Sequence, residues 1–293
     1  MLLAAIDIGT NAVRLLFSNA FRHNGHVMVE KASLVRIPIR LGEDVFKNNC
    51  ISPEKTVKLI KTMQAFKLLM EVYQPVAFKA CATAAMREAE NRGEVLNAIH
   101  RQTGIEVEII DGLKEAALVS AVSDMRIAKE HDFVMFVDVG GGSTEISLLK
   151  DRKIIESGSF KIGTVRLLNK KVKKKEWDAL KNWLKKFTGD PASLLLVGSG
   201  GNINKLTKLY GRIPENTLSY DNLEYSLKHL ALFTLKERIE RIGLRPDRAD
   251  VIIPAGQIFC FIMKQLDTRS VYVPKVGLSD GIIHHLFSEL NQQ

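Results

Sequence analysis

Two stretches of this sequence say nearly the same thing, and that repetition constrains the fold more than any other feature. Residues 2–17, LLAAIDIGTNAVRLLF, and residues 133–149, FVMFVDVGGGSTEISLL, each run an apolar segment into an aspartate and a small-residue turn. Each then resumes as a second apolar segment. Short apolar runs bounded by turn residues read as buried strands. Asp7 and Asp138 are therefore each carried by a strand to a bend with few side chains. The two lie a domain's length apart, so an internal duplication with a boundary near residue 122 is the preferred reading. Chance likeness of two buried strands is the alternative. A chain of 293 residues is long for a single core and fits two domains.

The rest of the chain alternates strand-like and helix-like segments, the signature of an α/β architecture. Residues 2–10 and 12–21 read as a hairpin around Thr10-Asn11, and residues 26–41 continue the sheet. Residues 52–73 read as a helix with Ser52 as N-cap, Pro53 in the first turn, and Val57, Ile60, Met63 and Leu68 as its apolar stripe. A strand at 75–83, a helix over 84–104, a strand at 105–111 and a helix over 113–130 follow. After residue 133 the order of strand, glycine turn and hairpin restarts. Residues 194–206 add a strand and Gly198, Gly200 and Gly201, and residues 269–290 close with a strand and a helix.

Composition excludes several classes. The longest apolar stretch, VIIPAGQIFCFIM at 251–263, is too short to span a bilayer and is interrupted by Pro254, Gly256 and Gln257. With no basic-plus-apolar leader, a soluble, cytoplasmic protein without membrane partners is expected. Cys50, Cys81 and Cys260 are odd in number and far apart, so neither a disulfide framework nor a zinc site is indicated. His284 and His285 are adjacent on a helix and point apart, which argues against a metal clip. The net charge is +9, much of it in Lys161, Arg166, Lys170, Lys171, Lys173, Lys174 and Lys175. Such a stripe reads either as a solvated helix start or as a polyanion attractor. No aromatics interleave with the lysines, so nucleic acid is not the expected partner.

The turns themselves suggest chemistry. Gly140, Gly141 and Gly142 expose backbone N–H groups that suit phosphate, and Ser143 and Thr144 add hydroxyls. Gly9, Thr10 and Asn11 offer the same from the first half. An acid beside each turn could hold Mg²⁺ through water. Neither a P-loop pattern nor a dinucleotide fingerprint is present. Glu115 shares a helix face with Leu118, Val119 and Val122, so it is a misfit, a buried ion-pair partner or a base. Arg14 and Arg87 are placed either to clamp a phosphate or to make structural ion pairs.

Taken in order, AAIDIGTNAVRLLF, ACATAAMREAEN, GIEVEIIDGLKEAALV, FVDVGGGSTEISLL, GTVRL, VGSGGNINKL and RPDRADVIIPAG resemble the exopolyphosphatase / guanosine pentaphosphate phosphatase family over nearly the whole chain. The resemblance implies duplicated actin-like ATPase (ribonuclease H-like) domains with an interdomain cleft. The domains would be 1–122 and 123–293, with the helix at about 279–293 a candidate to pack back on the first. It further implies Glu115 as the base that activates water, and Asp138 and Glu145 as acids tied to Mg²⁺ (or Mn²⁺) and the attacking water. Asp7, the third acid expected at the metal, forms the first phosphate loop with Gly9, Thr10, Asn11 and Arg14, and Arg87 lies near the bound phosphate chain.

The implied activity is removal of terminal orthophosphate from polyphosphate or guanosine pentaphosphate. A homodimer is the default assembly. Three features depart from the family pattern, one of them Asp280 in GLSDGII, to which no role is assigned. Lys114 and Ala117 stand where its E-E-A-R helix has glutamate and arginine, and no all-helical extension follows. A kinase of the same fold, or a non-catalytic polyphosphate or alarmone-binding protein, are the rival readings.

Overall fold

The computed structural model describes residues 1–23, 26–122, 131–151, 153–187 and 194–291. In chain order the elements are β1 (Leu2–Ile8), β2 (Val13–His23), β3 (His26–Ile37), α1 (Leu41–Asn48), α2 (Pro53–Tyr73), β4 (Ala77–Ala82), α3 (Ala84–Glu88), α4 (Arg92–Thr103), β5 (Glu108–Ile109) and α5 (Gly112–Ser120). There follow β6 (Phe133–Val139), β7 (Thr144–Lys150), β8 (Lys153–Phe160), α6 (Thr164–Leu168), α7 (Lys174–Leu184), β9 (Leu194–Ser199), α8 (Gly201–Tyr210) and β10 (Thr217–Ser219). The chain closes with α9 (Tyr220–Ala231), α10 (Leu235–Glu240), α11 (Pro246–Ala249), α12 (Ile252–Leu266), β11 (Ser270–Tyr272) and α13 (Leu278–Leu290). Two compact units result: Met1–Val122 with Leu278–Gln293, and Ser123–Gly277.

The first unit holds a sheet of order β3-β2-β1-β4-β5. β1 pairs antiparallel with β2 and parallel with β4, and β4 is parallel to β5. Leu3 to Ile6 are fully buried, as befits a strand covered on both faces. One face packs on α13, where Leu3, Ala5 and Leu16 meet Ile282, Ile283 and Phe287. On the other, Phe17 stacks on Tyr73 at the end of α2. Lys31 of β3 ion-pairs with the largely buried Asp280 at 2.9 Å. Gly281 brings the α13 backbone against the Leu118 carbonyl of α5, where an added Cβ would lie 2.2 Å away. The helix carrying Glu115 is thus seated against the chain's last helix.

The second unit repeats this plan with the order β8-β7-β6-β9-β11-β10. β6 is antiparallel to β7 and parallel to β9. Even the register repeats: Asp7 faces Arg14 across β1–β2, and Asp138 faces Glu145 across β6–β7. The apolar stretch at 251–263 falls in α12 and its N-cap; the longer run Pro246–Leu266 has the length and apolarity of a membrane span but is mostly buried in the core of this unit. There Ile258, Phe259, Ile262 and Met263 pack with Met135, Val137 and Ile146.

Several elements differ from expectation. Ser52 caps α2 by accepting from the Lys55 N–H, but the buried face is Leu59, Met63, Phe66 and Met70 with Ile60, while Val57 and Leu68 face solvent. The stretch expected as one helix over 84–104 is broken between α3 and α4. There the Asn91 side chain docks on both backbone groups of Ile51, at 3.0 and 2.9 Å, and an uninterrupted helix would carry it away. Pairing shortens the strand expected at 105–111 to Glu108–Ile109. Of the helix expected over 113–130, α5 ends at Ser120, and residues 123–130 lie outside the described ones.

Candidate active site

In the first unit the residues of interest gather at the C-terminal ends of the parallel strands, the edge where open α/β sheets bind ligands. β1 delivers Asp7 and then Gly9, Thr10 and Asn11. The Gly9 N–H closes the turn on the Ala12 carbonyl at 3.1 Å. The Thr10 and Asn11 carbonyls accept from the Gly42 and Arg40 N–H groups, both at 3.0 Å. In a trans peptide the N–H points opposite the C=O, so the Asn11 and Ala12 amides are turned away from α1. Asp7 is buried and ion-pairs with Arg14, the residue directly across the hairpin.

Arg87 and Glu115 belong to the same sheet edge. From α3, Arg87 donates through Nη1 to the Ile110 carbonyl at 2.8 Å, tying the end of β4 to the segment that starts α5. Asp111 caps α5 by accepting from the Lys114 N–H at 2.8 Å, which sets Glu115 in the first turn, 7% exposed, beside Leu118 and Val119. The neighbouring Lys114 points elsewhere, as successive helical side chains must. It is bonded to Glu108 of β5, which raises the Lys114 pKa and holds the Glu108 carboxyl below its usual range. Lys79 of β4 stands 3.5 Å from the same carboxylate. The departure at Lys114 is thus absorbed by a partner on β5, not by Glu115.

The second unit holds the other turn. The Gly140 N–H closes on the Ser143 carbonyl at 3.0 Å, as Gly9 does on Ala12. The Gly140 carbonyl accepts from the Thr164 N–H, and the Gly141 carbonyl from those of Val165 and Arg166. The Gly142 carbonyl accepts from the Arg166 side chain Nε at 2.8 Å. With three successive carbonyls drawn onto α6, the amides of Gly141, Gly142 and Ser143 point the other way, an arrangement that suits an anion. Thr144 is fully buried with its hydroxyl on the Ile162 carbonyl at 2.5 Å, so it braces the turn. Ser143 is 4% exposed at the turn's end.

Asp138 and Glu145 lie opposite each other on adjacent strands. Glu145 is 1% exposed and accepts from Ser159 at 3.0 Å. Like charges placed directly across strands repel, so a cation suits this pair. Two carboxylates also match the sparse, hard-oxygen set that Mg²⁺ takes when waters and phosphates complete its shell. Among the described residues no cluster of three or more His, Cys, Asp or Glu stands ready for a metal. The Asp7 carboxylate, the third acid expected at the metal, is ion-paired with Arg14.

Three further residues help build the turn. Arg166, counted with the surface stripe, is 8% exposed and bonded to the glycine turn. Gly163 has ordinary extended backbone, yet an added Cβ there would lie 2.4 Å from the Gly141 oxygen. Gly200, at φ +110°, closes the end of β9 beside Asp138, and an added Cβ would meet the Asp138 Oδ1 at 3.3 Å. Glycine spacing after a strand was the available signal for Gly200. Arg166 lay within the GTVRL motif, but nothing local showed its bonding partner, which is 24 residues away.

A model described as the Ppx/GppA phosphatase family matches residues 23–290. Among curated relatives, Exopolyphosphatase 1 of Mycobacterium tuberculosis (strain ATCC 25618 / H37Rv) is 26% identical over 97% of this chain and 87% of its own length. A guanosine-5'-triphosphate,3'-diphosphate pyrophosphatase of Vibrio campbellii is 24% identical over 99% of this chain and 60% of its own. The crystal structure of the Aquifex aeolicus Ppx/GppA family member superposes with a TM-score of 0.77 at 26% identity, covering 99% of both chains. An exopolyphosphatase from Cytophaga hutchinsonii shares the fold, with a TM-score of 0.84 at 22% identity over 99% of this chain and 98% of that one. The duplicated sheets are of the actin-like ATPase class expected from the sequence.

Proposed function

Because the chain belongs to the Ppx/GppA phosphatase family, we propose that it hydrolyses the terminal phosphoryl group of inorganic polyphosphate or of guanosine pentaphosphate. The observation that carries this reading is the run of amides at Gly141, Gly142 and Ser143, turned outward beside two buried or half-buried acids. Fixed N–H donors suit the equatorial oxygens of a transferring phosphoryl group, because they need no reorganisation as charge develops. Asp138 and Glu145 would hold Mg²⁺ (or Mn²⁺), which when bound supplies charge neutralisation at the phosphate oxygens. In the first unit, the Asn11 and Ala12 amides and Arg87 are the donors. Arg14 is held in place by Asp7.

Glu115 is the base in this reading. It accepts a proton from water as the water oxygen bonds to the terminal phosphorus. The bond to the bridging oxygen breaks, releasing orthophosphate and a chain one phosphoryl shorter. Its burial among apolar neighbours suits a carboxylate that must trade a proton.

The test is a phosphate-release assay on tripolyphosphate, long-chain polyphosphate and guanosine pentaphosphate, with and without Mg²⁺. Glu115→Gln is expected to cut turnover ~10²–10⁴-fold, the range for a positioned base, with substrate binding retained. Wild-type turnover in that variant would remove Glu115 from the mechanism. Tight binding without release by the native protein would favour the non-catalytic rival, and phosphoryl transfer from ATP to an acceptor would favour a kinase.

A further inference from the structure

The stretch 161–175 contains no acidic residue. Its lysines 161, 170, 171, 173, 174 and 175 are all exposed, and none makes an ion pair with a described carboxylate. Elsewhere on the second unit surface lysines do find partners, as Lys186 does with Glu156 and Lys228 with Glu224. Three of the six cations also sit against local preference. Lys173, Lys174 and Lys175 occupy the N-cap and first turn of α7, where the helix dipole disfavours positive charge and no side chain caps the helix. Glu176 is the one acid in that first turn, and a run of three cations there contradicts a local rule, the kind of conflict expected where function claims the residues.

The fold ties this patch to the amide turn of the same unit. α6 starts on the Gly140 and Gly141 carbonyls, and Lys170 and Lys171 follow it in a turn closed on the Leu167 and Arg166 carbonyls, at 3.0 and 2.9 Å. α6 spans only one and a half turns, so these lysines begin roughly 10 Å from the glycine turn. Lys161, at the other end of α6, precedes Ile162, whose carbonyl holds Thr144. We propose that these six lysines form a docking lane for the distal part of a linear polyphosphate chain whose end occupies the amide turn. The lane rests on the reading of polyphosphate as substrate and adds a preference for long chains over short ones.

The chemistry favours polyphosphate over nucleic acid. Base recognition uses exposed aromatic faces, and the tryptophans of α7 are turned inward. Trp177 packs edge-on against Phe261 at 4.7 Å, and Trp183 sits between Phe160 and Phe187 at 5.9 and 4.7 Å. What the surface offers is a row of point charges, which matches a chain carrying one charge per unit and no bases.

The test replaces Lys170, Lys171, Lys173, Lys174 and Lys175 together with Gln. Thermal melts confirm folding, and anisotropy of end-labelled long-chain polyphosphate reads affinity across a salt series. The variant is expected to bind long chains ~30-fold more weakly at low salt. Its salt dependence should be shallower by roughly 0.7 per lysine that meets a phosphate, while tripolyphosphate turnover is unchanged. Unaltered long-chain affinity and salt slope in the variant would overturn the lane and leave the hydrolase reading standing. If the native protein binds long chains through these lysines but releases no phosphate from any polyphosphate, the lane stands and the hydrolase reading falls. Displacement of polyphosphate by a single-stranded oligodeoxynucleotide at equal phosphate concentration would overturn the assignment in favour of nucleic acid.

Discussion

Replacing Gly163 by Ala isolates how the amide turn is built. Gly163 has φ −135° and ψ 161°, a conformation any residue adopts, so backbone preference contributes nothing to the outcome. The whole effect is steric. An added Cβ would lie 2.4 Å from the Gly141 oxygen and the Gly142 carbonyl carbon, and 2.5 Å from the Gly141 carbonyl carbon. Carbon contacts are comfortable near 3.5 Å, so the turn or α6 must shift by about 1 Å, and backbone cannot swing aside as a side chain can. Overpacking of this kind costs about 1–3 kcal/mol. For a domain of this size that lowers the melting temperature by roughly 2–12 °C.

The same displacement moves the amides of Gly141, Gly142 and Ser143. A misplacement of about 1 Å at a reacting group can lower turnover on the order of 100-fold. Calorimetry and phosphate release measured together check both consequences. Gly93→Ala is the matched control: that glycine lies in α4 with nothing within 4 Å of an added Cβ. It should stabilise by up to about 1 kcal/mol through helix propensity and leave turnover alone. A Gly163→Ala protein with native melting temperature and turnover would refute the close approach of α6 to the glycine turn.

Two further outcomes follow from buried titrating groups. Burial pushes the Cys81 thiol up to about 11, so in the native protein at pH 8 it should resist iodoacetamide while the partly exposed Cys50 is labelled. A carboxamidomethylated Cys81 peptide from folded protein would show the strand β4 to be open. Burial, then the neighbouring His285, holds the His284 pKa below its usual 6.5. The folded state therefore stays neutral where the unfolded chain gains a proton, and stability falls as pH drops below about 6.5 through the folded value. Melting temperatures from pH 7.5 to 5 should fall less steeply in His284→Gln, and parallel slopes in the two proteins would refute this.

The sequence by itself determined whatever depends on neighbours along the chain. Apolar runs ending in Asp7 and Asp138 announced strands buried on both faces, because only a covered strand tolerates unbroken hydrophobicity. Ser52 before Pro53 announced a helix start, and Glu115 on an apolar face announced a carboxylate out of place. The glycine turns announced exposed amides, though not which of them would be spent closing the turn.

Only the tertiary structure decided the remainder, because the deciding partners lie on other elements, most of them far away in the chain. Asn91 marks the break between α3 and α4 by reaching Ile51. Lys114 is claimed by Glu108 across the gap between α5 and β5. The Lys31–Asp280 pair fastens the final helix to the first sheet. Arg166 reads as one more surface cation until the Gly142 carbonyl is brought beside it. Periodicity and charge runs record what a residue prefers on average. Which face of α2 is covered, and which cation is buried, is set by contacts that exist only once the sheets have formed.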